Sequence, residues 1–127
     1  MLDGQGLAVS VENDTAVLAY NKAVTEWLDY KISSMRTLKQ AIELEPDFCI
    51  AHCFRGYLLV TFNSAAVLPA AVASLTKARA LAGTASEREQ RHVAALRHLL
   101  EGAPHRACAC WDEITADYPH DILALRM

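Results

Sequence analysis

The chain has 127 residues, enough for one compact domain around a single core. A hydrophobic share of 53% and a charged share of 21% exclude a disordered tail or a collagen-like strand; much of the apolar content is alanine and only 7% is aromatic, which favours closely packed helices. The net charge of −3, with 12 basic residues spread along the chain, argues against a nucleic-acid partner, because phosphate-backbone binding needs clustered Lys and Arg.

Residues 1–12 carry Gly4 and Gly6, show no hydrophobic period, and are expected to form an irregular lead-in. Met1-Leu2-Asp3-Gly4 lacks the basic start and apolar run of a signal peptide, so reduced thiols and a cytoplasmic location are expected. The region 13–127 is expected to be one helical-repeat domain. Asn13 or Asp14 can cap a first helix, in which Val17, Tyr20, Val24, Trp27, Leu28 and Lys31 recur at steps of three and four. A second runs from Ser33 to Glu45, with Met35, Leu38, Ala41 and Ile42 on one face, and Pro46 stops it. Asp47 can cap a third, from Phe48 to Asn63. The fourth, Ala65 to Leu81, has Pro69 in its first turn, Leu68, Val72, Leu75 and Ala78 directed inward, and Gly83 at its end. Ser86-Glu87-Arg88-Glu89 is a capping-box pattern that starts a fifth helix, with Val93, Leu96, Leu99 and Leu100 on its buried side and Gly102 at its end. Pro104 fits the first turn of a sixth, whose inner face holds Ala107, Cys108, Trp111 and Ile114 as far as Pro119. A seventh begins near Asp121 with Ile122, Leu123 and Leu125. There is no sustained period-two alternation, so no strand is expected. No stretch reaches the roughly 18–20 uninterrupted apolar residues of a membrane span, and the richest run, Tyr57–Phe62, is far shorter.

The second helix of each pair repeats one pattern. Ser34, Leu38, Ala41 and Pro46 share their spacings with Ala71, Leu75, Ala78 and Gly83, and again with Ala107, Trp111, Ile114 and Pro119. From Ala41 to Ala78 is 37 residues, and from Ala78 to Ile114 is 36. A period of this length marks stacked helix pairs.

On these residues the chain resembles the tetratricopeptide repeat family, whose unit is a helix-turn-helix of nominally about 34 residues. Leu38-Lys39-Gln40-Ala41-Ile42-Glu43-Leu44-Glu45-Pro46-Asp47 is similar to that family's second helix and closing proline. Gly56 matches the small residue where two helices approach closely, and Gly102 the turn glycine. The first helix lacks the family's Gly, the middle unit lacks its Pro, and Arg55 stands where the family favours leucine. One branch, tetratricopeptide repeat protein 38 and its bacterial relatives, is similar over most of residues 14–127. The residues that carry this likeness are Glu45-Pro46-Asp47-Phe48 with His52 and Gly56, Arg88-Glu89-Gln90-Arg91-His92-Val93, and the stretch from Ala107-Cys108-Ala109-Cys110-Trp111 to Tyr118-Pro119-His120-Asp121-Ile122-Leu123-Ala124-Leu125. The resemblance implies an all-α, short right-handed solenoid of antiparallel helix pairs, about six to seven helices, forming the N-terminal portion of a longer repeat protein.

Each cluster of reactive residues has a plain alternative. Cys49, His52 and Cys53 are zinc-ligand types on one helix, but four ligands are needed and the paired C-x2-C spacing is missing; buried cysteines acting as small hydrophobes are expected, with no metal and no cofactor. His92 or His105 would have to complete such a site from another helix. His98 and His105 flank the loop before Cys108 without any catalytic cysteine signature. His52 and His92 are expected to bond a backbone carbonyl or a glutamate. Arg88, Arg91 and Arg97, beside Glu87 and Glu89, are expected on a solvated face, and Trp27 and Trp111 in the core. Gly4-Gln5-Gly6 is too short for a phosphate loop.

The function expected is that of a non-catalytic scaffold binding a protein or peptide through an inner, concave face. By the repeat alignment Cys53, Tyr57, Val60 and Thr61 line it from the third helix, and His92, Leu96 and Leu99 from the fifth. Charged residues at Tyr57 and Leu96 are then expected to abolish capture without unfolding the chain. The alternatives are a helical part of a larger enzyme, for which no acid/base pair or nucleophile constellation speaks, and homo-oligomerisation through residues 121–127. No nucleic-acid or membrane partner is expected.

Overall fold

A computed structural model describes residues 2–4, 6–29, 33–61 and 65–126, which form seven α-helices. These are α1 (Asp14–Leu28), α2 (Ser34–Leu44), α3 (Cys49–Thr61), α4 (Leu68–Leu81), α5 (Glu87–Leu100), α6 (Pro104–Asp117) and α7 (Ile122–Arg126). Short 3-10 turns, Ala65–Val67 and Ala82–Thr84, flank α4. Among the described residues there is no strand, only one isolated antiparallel bridge between Leu2 and Ala8. Lys31, Asn63 and Met127, and Gln5 of the Gly-Gln-Gly stretch, lie outside the described residues.

The helix boundaries follow local chemistry. Asn13 caps α1, its side chain accepting from the Ala16 amide at 3.1 Å. Ser86 caps α5 by accepting from the Glu89 amide at 3.3 Å. At the other end of α5 the Ala103 amide donates to His98 O (2.9 Å) and the Gly102 amide to Leu99 O (3.2 Å), with Gly102 at φ +77°. That pair of bonds needs a left-handed residue, which glycine supplies without a Cβ clash. Pro104 occupies the first position of α6, where its missing N–H costs nothing. Asp47 does not cap α3. The helix starts at Cys49, and the Asp47 carboxylate lies 3.9 Å from the Lys77 ammonium.

Each helix packs most heavily on its sequence neighbour: α1 on α2, α3 on α4, α5 on α6. Of the twelve repeat positions, the nine within helices, Ser34, Leu38, Ala41, Ala71, Leu75, Ala78, Ala107, Trp111 and Ile114, are all buried, and the closing Pro46, Gly83 and Pro119 are exposed. Tyr20 of α1 lies 5.2 Å from the Phe48 ring and 6.1 Å from Phe54, and Trp27 lies 5.2 Å from Phe54, so an aromatic cluster joins α1 to α3. Glu26 is buried between α1 and α2, where it accepts from the Ser33 and Thr37 hydroxyls. The α3–α5 contact depends on Gly56. A Cβ built there would meet Leu96 Cδ2 at 2.5 Å, so the two helices come this close only over a glycine.

Three expectations of exposure fail. Leu68 and Val72 are 49% and 46% exposed, because the buried stripe of α4 runs through Ala71, Ser74, Leu75 and Ala78, to one side of them. Cys108 is exposed, a step around α6 from the buried Ala107 and Trp111. Arg88 is 3% exposed and is therefore not on a solvated face, whereas Arg91 and Arg97 are partly open. The lead-in is irregular but anchored: Val9 and Val11 are in the core, and the Gly4 amide donates to Asn21 of α1 at 2.9 Å. Residues 65–84 form a 20-residue helical run with mean hydropathy 1.3, long and apolar enough by length and composition to cross a membrane. Alanine, valine and leucine together supply that hydropathy, Lys77 and Arg79 interrupt it, and its buried stripe packs on α3.

Candidate functional site

The chemistry-bearing residues converge on α5. Arg88, His92 and Leu96 are four residues apart and so share one helical stripe, turned toward α3, α7 and the N-terminal arm. The Arg88 guanidinium donates to Asp121 Oδ2 at 3.0 Å and to the Ala8 carbonyl at 3.1 Å, and lies 3.8 Å from Asp3 Oδ2. His92 Nε2 lies 2.8 Å from the same Asp121 oxygen, and because a carboxylate only accepts there, this nitrogen carries a proton. On the other side of the ring, the Tyr57 hydroxyl is 2.8 Å from His92 Nδ1 and 3.0 Å from the His92 carbonyl, and it accepts from Trp111 Nε1 at 3.4 Å. Asp121 Oδ1 accepts from the Ala124 amide at 3.2 Å and so caps α7.

The electrostatics of the cluster follow from burial and pairing. Burial pushes the Asp121 carboxyl up, but the hydrogen bond and charge of His92 and the Arg88 guanidinium outweigh it and hold the group at about 2. Burial drives the Tyr57 phenol well above its ordinary value. Glu89, fully buried, is pushed up by burial against the opposing pull of Ser10, Arg88 and Ser86, and its Oε2 has no hydrogen-bond partner. The capping box is relayed: the Ser86 amide donates to Ser10 Oγ (3.2 Å), and Ser10 Oγ donates to Glu89 Oε1 (2.8 Å). A residue of the N-terminal arm thus takes over the bond to the Ser86 amide in a motif that is ordinarily local, while the Ser86 hydroxyl also donates to Glu89 Oε1 directly at 3.3 Å.

Aspartate, histidine and tyrosine in hydrogen-bonded series are the parts of a general-base relay. Here Asp121, His92 and Tyr57 are each 0–1% exposed and are enclosed by Arg88, Trp111 and one another. The arrangement ties the arm, α3, α5, α6 and α7 together.

This burial corrects the expected binding face. Cys53, Tyr57, His92 and Leu96 are all at 0% exposure, covered by the close α3–α5 packing at Gly56 and by the arm and α7 meeting at Arg88 and His92. Charged residues at Tyr57 and Leu96 would therefore break the core. Thr61 is exposed, with its hydroxyl donating to Leu58 O at 2.6 Å. Val60 and Leu99 alone of the set meet at an open surface, a cleft of about 290 Å³ that they line with Leu59, Val67, Leu68 and Leu100. His52 bonds the Pro46 carbonyl at 2.7 Å as expected, whereas the His92 ring bonds an aspartate and a tyrosine, not a carbonyl or a glutamate. Cys49 and Cys53 are buried; the hydrogen bond with Cys49 and then burial push the Cys53 thiol far up, away from a nucleophilic thiolate. Among the described residues no three His, Cys, Asp or Glu side chains come together as a metal requires.

The pairing of Arg88 with Asp121 was not foreseen from the sequence. Arg88 lies in a charged run but four residues before His92 and eight before Leu96, on the stripe that has to be buried if Leu96 is. That spacing was the available signal. No family model matches this chain, and no solved structure matches it.

Proposed function

We propose that the chain is a helical-repeat scaffold of the tetratricopeptide kind that binds an apolar segment of a protein partner. The single observation that carries this is the open apolar cleft where Val60 and Leu99 meet beside the half-exposed Leu68. A partner's apolar segment laid in this cleft would remove its apolar surface from water. The repeat reading is supported by the burial of the nine repeat positions within helices, by the pairing of neighbours in sequence, and by the helix contact over Gly56. The amphipathic helix or extended strand of a partner is the ligand such grooves take.

The test is capture from a lysate by the full chain and by the double variant Val60→Glu, Leu68→Glu, with circular dichroism verifying the fold of both. Proteins captured by the parent and lost by the folded variant support the reading. A folded variant that captures the same set overturns it.

A further inference from the structure

A second cleft, of about 280 Å³, opens at the junction of α2, α3 and α4, away from both the apolar cleft and the Arg88 cluster. Its polar lining comes from three helices: Lys39 and Glu43 from α2, His52 and Arg55 from α3, Ser74 and Lys77 from α4. Three cationic side chains thus face one carboxylate in a chain whose net charge is −3. Arg55 is the only Asp, Glu, Lys or Arg in α3. It is half-buried and makes no ion pair among the described residues; its one bond is from Nη1 to the Ser74 hydroxyl, at 2.9 Å. That bond fixes the planar group in place and leaves its remaining donors for a ligand. Lys39 is likewise without an ion pair among the described residues, and Lys77 has only the exposed 3.9 Å contact to Asp47.

The Arg55 guanidinium lines the open cleft without a carboxylate partner, so its charge is available to an anion entering from solution. With Lys39 and Lys77 beside it, an anion of two charges matches the lining better than one of a single charge. A phosphate monoester carries about −1.5 to −2 near neutral pH and presents oxygens that match the arginine fork, whereas one carboxylate would leave part of the positive charge unmatched. The cleft volume is close to the lower limit, about 300 Å³, of small-ligand sites. We infer that this cleft binds a phosphate monoester, with Arg55 gripping its oxygens and Lys39 and Lys77 neutralising its charge. The His52 ring reports on occupancy. Burial pushes its pKa down, the Pro46 carbonyl pulls it up, and the Lys77 and Arg55 charges push it down again, so a bound dianion moves it upward.

The experiment is NMR titration of the full chain with inorganic phosphate, glycerol 3-phosphate and a phosphoserine tripeptide. Saturable shifts at Lys39, Arg55, Ser74 and Lys77, a rise in the His52 pKa, and affinity about tenfold or more lower in Arg55→Gln are expected for a charge-assisted contact. The exposed double variant Lys39→Gln, Lys77→Gln tests the same loss without disturbing a packed residue. Tighter binding of the tripeptide than of glycerol 3-phosphate assigns the phosphate to a modified protein; equal or tighter binding of glycerol 3-phosphate assigns it to a free metabolite. Non-saturating or scattered shifts with all three probes, or equal affinity in the parent and both variants, overturn the inference.

Discussion

Helices α4 and α5 invert the usual relation between polarity and burial. The apolar α4 leaves Leu68 and Val72 about half exposed and buries only Ala71, Ser74, Leu75 and Ala78. The far more polar α5 buries Arg88, Glu89 and His92 almost completely. Position decides the outcome. The fourth helix rests chiefly on α3, with a lesser contact to α5, and needs only a narrow stripe of small residues, whereas the fifth is packed by α3, α4, α6 and the arm. A helix with neighbours on several sides buries whatever its stripe carries, and charged residues there persist only with partners.

The strongest way to break this contrast is to orphan one member of the α5 cluster. Arg88→Ala leaves Asp121 and Asp3 without their shared guanidinium, and a loss of about 3–5 kcal/mol is expected in chemical denaturation. Removing a surface side chain of similar size, as in Lys39→Ala, is expected to cost less than about 0.5 kcal/mol. A retained midpoint in Arg88→Ala would mean that the cluster is dispensable.

Acid should reveal the same cluster. Asp121 is held at about 2, below its ordinary 3.8, so the stability it contributes is full above about 4 and lost as the pH falls from about 4 toward 2. That contribution is on the order of 2 kcal/mol. In Asp121→Asn this part of the acid limb is expected to disappear from a denaturation series. Glu89 acts in the opposite sense: its raised pKa contributes stability below the ordinary carboxylate range and loses it as the pH rises through the folded value. Glu89→Gln is therefore expected to flatten the profile on the neutral side.

Next in size is Gly56→Ala. The added methyl meets the flexible end of Leu96, and a cost of about 1–3 kcal/mol is expected as the two helices part. The smallest effect belongs to α4: Val72→Thr, on its exposed side, is expected to change the midpoint by less than about 0.5 kcal/mol. A large loss there would show that the fourth helix is more enclosed than its contacts indicate.

Much of the helical frame was legible because it is written in local spacing. Asn13 and Ser86 cap their helices by accepting from amides three positions on, Gly102 closes α5 within a local turn, and Pro104 starts α6 through its own ring geometry. The repeat positions recur at three and four residues, so their burial followed from the helical period. The candidate site was far less legible. Arg88 meets Asp121 and Asp3 across 33 and 85 residues, and Ser10 meets Ser86 across 76, and no period links an irregular arm to a helix N-terminus that far away. The expected face went wrong for a related reason. Cys53, Tyr57, His92 and Leu96 do point to one side of their helices, but that side is roofed by segments whose placement no local pattern encodes. Leu68 and Val72 were misplaced because two stripes on an alanine-rich helix are nearly equal in hydropathy, and only packing on α3 chooses between them.

The shared guanidinium gives the molecule a form of internal communication. Asp3 and Asp121 both rely on Arg88, and they are 118 residues apart in the chain. Removing either leaves the cation with less to balance it and tightens its hold on the other, so substitutions at the two sites will not add. Hydrogen exchange in the arm should therefore respond to changes at the start of the seventh helix.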